Sequence, residues 1–84
     1  MNFDPNWSIL LKALYYDQQG KWEEAHKLVD QSNEDGAAHI HAYLHRKEGD
    51  QWNASYWYQR AGQPIFNGSL EEEWQLLWET YANK

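Results

Sequence analysis

The chain has 84 residues, with 13 acidic against 7 basic side chains and a formal net charge of −6. That balance disfavours phosphate backbones and anionic membrane surfaces. No stretch approaches the ~20 apolar residues of a membrane span, and the absence of cysteine excludes disulfides and thiolate chemistry. Six Trp and six Tyr make aromatic rings the main core material, each able to bury about 150–250 Å².

The N-terminal Met1-Asn2-Phe3-Asp4-Pro5 carries no basic start followed by an apolar run, so a cytoplasmic protein is expected. Asp4-Pro5 reads as an N-cap followed by proline at the first helical position. Trp7, Leu10, Leu11, Leu14 and Tyr15 then recur at helical steps, up to a C-terminal cap at Gly20. A second helix starts at Lys21 and carries Trp22, Ala25, Val29 and Ser32 on one face. Ser32-Asn33-Glu34-Asp35-Gly36 is a turn. A third helix runs from about Ala37 to Glu48 and stops at Gly49. Asp50 caps a fourth that reaches about Ala61. Pro64 and Asn67-Gly68 break the following loop. Ser69 with Glu72 forms a capping box for a fifth helix, whose apolar stripe is Leu70, Trp74, Leu77, Trp78 and Tyr81. No segment alternates as a strand would. The expectation is one all-α domain over residues 1–84, made of two antiparallel helical hairpins and a closing C-terminal helix.

The second and fourth helices echo each other. Gly20, Ala25, Val29 and Ser32 recur as Gly49, Ala54, Tyr58 and Ala61, each pair 29 residues apart. A fixed period of this kind marks stacked helical hairpins. These positions resemble the glycine, alanine, bulky and small positions of the tetratricopeptide repeat. Ala13 and Tyr16 match the small and aromatic positions of its first helix. Ala42 matches the small position in the second unit, while His45 stands where an aromatic is usual. The unit is shorter than the usual 34 or so residues. Trp57-Tyr58 with Ala61-Gly62 also resembles the Sel1 variant. More narrowly, His41 to Asp50 together with Tyr56 to Gly62 looks like a family of small proteins with no established activity. The repeat resemblance covers about residues 5–62 and implies a protein-binding scaffold.

By the repeat, the concave face carries Trp7, Leu10, Leu14, Asp17 and Gln18 in the first unit, and Gly36, His39, Tyr43, Arg46 and Lys47 in the second. One reading makes this an open groove with His39, Tyr43, Arg46 and Lys47 as contacts, Arg46 and Lys47 pairing with a carboxylate or phosphate. The other fills it with the fifth helix through Trp74, Leu77 and Trp78. Trp52 and Tyr56 form a second exposed candidate patch, suited to a homodimer contact.

Three of the four histidines lie in the third helix. His41 and His45, four apart, share a face and could hold a metal with His26 or Glu48 completing the set, since zinc needs three or four ligands. The Glu of the His-Glu-x-x-His metalloprotease helix is absent. The alternative packs both rings against the fourth helix near Trp57 or Tyr58, where protonation near pH 6 would loosen the hairpin. Glu71-Glu72-Glu73 reads as a solvated cap complementing the helix dipole. No nucleophile elbow or phosphate-binding loop occurs. The expectation is therefore a non-catalytic interaction module without a cofactor, binding a protein or peptide partner or itself. The alternatives are a metal- or small-molecule-binding protein or enzyme centred on His41 and His45, and a structural homodimer subunit.

Overall fold

A computed structural model describes residues 2–83. Among them the chain forms α1 (Ile9–Gln18), α2 (Trp22–Asp30), α3 (Ala37–Lys47), α4 (Gln51–Ala61) and α5 (Leu70–Ala82), with no strand. The sequence period is also a structural one. Lys21 N donates to Tyr16 O and Asp50 N to His45 O, both at 2.9 Å and 29 residues apart. Gly20 and Gly49 sit in these turns with φ of +80° and +87° and open space where a Cβ would stand, so backbone conformation alone demands glycine there. The paired small residues Ala13 and Ala42, and Ala25 and Ala54, are all buried, as are Val29 and Tyr58. Each small residue lets two helices approach, and each bulky one fills the space beyond.

Helix α3 is central. It buries Ala37, His39, Ile40, His41, Ala42, Tyr43, Leu44 and His45 and touches α1, α2, α4 and α5. Helix α4 packs its backbone on α3 and reaches α5 through Tyr58, which donates to Glu73. Helix α5 returns over the face made by α1 and α3. Trp74 and Leu77 are buried there with Leu10, Leu14, Ile40 and Tyr43, and Trp7, Trp78 and Tyr81 pack around them. The Trp74 indole N–H donates to Leu14 O at 2.9 Å. Trp78 stacks on Trp74 and meets Trp7 edge to face. The closing helix thus fills the concave face.

Two local expectations need correction. Helix α1 begins at Ile9, and its N-cap is Ser8, whose hydroxyl accepts from Leu11 N. Asp4 instead closes a turn, accepting from Asn6 N on its side chain and from Trp7 N on its carbonyl. Local side chain-to-backbone bonding outcompetes an earlier helix start here. Helix α2 ends at Asp30, before Ser32; the Ser32 hydroxyl accepts from Glu34 N and helps form the turn. That turn ends at Gly36, where φ is +97° and an added Cβ would fall on the Tyr81 ring. The Ser69–Glu72 capping box is present as expected.

Trp74→Ala removes a large apolar wedge under α5 together with its indole hydrogen bond to Leu14 O. It is expected to lower unfolding stability by about 3–5 kcal/mol, read from urea denaturation followed by circular dichroism.

Candidate functional site

Of the four groove candidates, helix α5 covers His39, Tyr43 and Arg46, whereas Lys47 stays exposed at the edge of the filled face. His39 is buried, with Nδ1 2.9 Å from Tyr81 Oη. Tyr43 is buried and donates its hydroxyl to Asp17 Oδ2 at 2.6 Å. Lys47 Nζ donates to Asp17 Oδ1 at 2.9 Å. Arg46 Nε donates to Glu73 Oε1 at 2.9 Å, and its guanidinium lies over the Phe66 ring. Burial and the neighbouring carboxylates push the Tyr43 and Tyr58 hydroxyls well above the ordinary phenol range.

The acceptors are two buried carboxylates, Asp17 at 2% exposure and Glu73 at 0%. Glu73 also accepts from Tyr58 Oη at 2.5 Å, so it joins α5 to both α3 and α4. The acidic triplet is therefore split. Glu71 and Glu72 are exposed as expected, whereas Glu73 is core. Its position betrays this, because Glu73 lies three residues after Leu70 and four before Leu77, on the apolar stripe itself. What remains of the groove is a cleft of about 540 Å³ lined by Asp17, Tyr43, Lys47, Leu70, Glu71 and Trp74, among others.

On the opposite side of α3 the histidines converge. His26 Nε2 lies 2.9 Å from His41 Nε2. His41 and His45 stack with ring centroids 4.9 Å apart, and His26 meets His45 at 5.3 Å. One ring nitrogen from each of the three lies within 4.8 Å of the others. Indoles wall the cluster: Trp22 stacks on His26 and Trp57 on His41 at 4.9 and 3.8 Å. The Trp22 indole N–H is satisfied by Leu44 O. His45 Nδ1 lies 2.8 Å from Glu48 Oε1. The carboxylate can only accept, so Nδ1 carries the proton. His41 does pack against α4 through Trp57, whereas His45 turns toward Trp22 and His26. Burial, reinforced by His26 and His45 and opposed by Asp30, lowers the His41 pKa to about 4. Burial also lowers that of His39.

The second aromatic patch lies on the outer face of α4. Trp52 is 77% and Tyr56 43% exposed, and their rings are parallel at 6.3 Å. Arg60 continues the stripe, lying over Tyr56 and Trp57 at 5.9 and 5.3 Å. No described helix is long and apolar enough to cross a membrane.

No protein family, no curated protein and no solved structure matches this chain.

The depressed His41 pKa fixes the sign of a pH effect. Below the ordinary value of 6.5 the unfolded ring takes up a proton that the folded ring refuses until about pH 4. Stability is therefore complete above pH 6.5 and falls as pH drops through that window. His39 adds in the same direction. Urea midpoints measured with chelator present are expected to decline from pH 6.5 to about pH 5, above the carboxylate range. His41→Gln is expected to flatten that slope.

Proposed function

We propose that this protein is a small non-catalytic interaction module working through the outer face of α4, with a second copy of the chain as its partner. The observation that carries this reading is the stripe Trp52, Tyr56, Arg60 at successive four-residue steps on the outer face of a helix whose other face packs on α3. The concave face, where a hairpin repeat of the tetratricopeptide type would take a peptide, is occupied by α5. That shifts the binding surface to α4.

Charge supports a self-partner. Two copies of a molecule with net charge −6 repel over most of their surface. Residues 51–70 contain no Asp or Glu, the longest acid-free stretch in the sequence. The stripe is also self-complementary. In an antiparallel two-fold pairing centred on Tyr56, Trp52 of each copy meets Arg60 of the other. A guanidinium over an indole is a favourable contact, and a two-fold axis makes it twice. One short helix face is smaller than the ~800 Å² per partner of a standard interface. The dimer should accordingly be weak, with Kd of about 1–100 µM.

Sedimentation velocity over a concentration series tests this. The wild-type chain is expected to pass from monomer to dimer, and Trp52→Ala with Tyr56→Ala to stay monomeric while keeping its helical spectrum. A wild-type chain that remains monomeric at about 1 mM, far above that range, contradicts the reading.

A further inference from the structure

The imidazole cluster lies between α2 and α3 and meets the α4 stripe through Trp57, which stacks on His41 and lies under Arg60. We propose that His26, His41 and His45 bind a divalent first-row transition cation of the zinc class.

Convergence is the first argument. The three rings come from two helices, yet one nitrogen from each lies within 4.8 Å of the others. His41 and His45 share a helical face because they are one turn apart, and the α2–α3 packing brings His26 against them. In a tetrahedral site with Zn–N of about 2.0–2.1 Å, ligand nitrogens stand about 3.3–3.4 Å apart. The His26–His41 pair, at 2.9 Å, needs to open by only about 0.4 Å to reach that spacing.

Preorganisation is the second. Trp22 and Trp57 hold the His26 and His41 rings by face-to-face stacking. Glu48 holds Nδ1 of His45 and so leaves Nε2 as its lone-pair atom. A carboxylate behind a ligating imidazole fixes its tautomer and raises its basicity, and an apolar wall restricts solvent. These are the supporting groups that a histidine metal site requires. In the metal-free protein one of the two facing Nε2 atoms carries the proton of their hydrogen bond. On binding, that ring moves its proton to Nδ1, so both Nε2 lone pairs reach the cation and no net proton is released.

Access is the third. A cleft of about 300 Å³ reaches His41 and is lined by Asp30, Glu34, Trp57 and Arg60, among others. Two carboxylates against one guanidinium favour entry of a cation at His41, and a fourth, exchangeable ligand would come from this cleft. Three protein nitrogens plus one exchangeable position is the arrangement of an open zinc site.

The test uses the untagged, full-length chain freed of metal by chelator. It is titrated with zinc chloride by calorimetry and with cobalt(II) by visible absorption. The expected result is one zinc per chain with Kd below about 10 µM, an intense tetrahedral cobalt spectrum, and a Tm that rises with free zinc. His26→Gln is expected to weaken zinc at least about 10-fold. His39→Gln, buried outside the cluster, is expected to leave it unchanged. The proposal is overturned by no stoichiometric zinc uptake, or by unchanged affinity in a folded His26→Gln or His45→Gln chain. Should those variants fail to fold, the wild-type cobalt spectrum decides. A weak octahedral spectrum, typical of carboxylate and water ligation, contradicts the site. Because the readout is metal uptake, it is independent of whether the chain dimerises.

Discussion

The structure turns on a carboxylate with no access to water. Glu73 is fully buried, and its two oxygens are held by Arg46 from α3 and Tyr58 from α4. Removing a carboxylate from water costs several kcal/mol unless its geometry is satisfied. The placement of α5 satisfies it. Sliding the helix by one turn, about 5.4 Å, would keep apolar residues facing the core but leave Glu73 buried without a partner. Trp74 reinforces the same register from the next position, because its indole N–H reaches the Leu14 carbonyl. The apolar stripe supplies the attraction that brings α5 to the groove, and the carboxylate selects where it stops.

That closure decides where function can reside. It takes up Arg46 through Glu73 and His39 through Tyr81, while Lys47 and Tyr43 are already paired with Asp17 of α1. It also leaves two surfaces outside the closed face. One is the outer side of α4, which carries the aromatic stripe and no acid. The other is the α2–α3 side, where three imidazoles meet between two indoles. Helix α3 separates them from the closed face, so changes at either surface need not disturb α5.

Much of the architecture was legible because it rests on local chemistry. Gly20 and Gly49 need positive φ, Ser69 and Glu72 cap each other, and the paired alanines mark close helix contacts. Those signals act over a few residues and survive in a linear reading. The start of α1 was misread because Asp4-Pro5 resembles a cap as strongly as Ser8 does, and only the Asp4 turn separates the two. The choice between an open and a filled groove depends on contacts 60 residues apart, such as Trp74 to Leu14. No local pattern encodes such a distance. Glu73 was hidden inside an acidic triplet whose other two members are exposed. His26 could be named only as one possible third ligand, since the α2–α3 packing that brings it to His41 lies outside any helical period.

The central claim is that α5 is part of the core and not an appended arm. Amide and indole hydrogen exchange on the native protein tests this most directly. If the account is right, the Trp74 indole N–H and the α5 amides around Leu77 exchange as slowly as the α3 amides around Ile40, through global unfolding alone. If they exchange much faster while α3 stays protected, α5 opens on its own. The concave face would then be a groove after all.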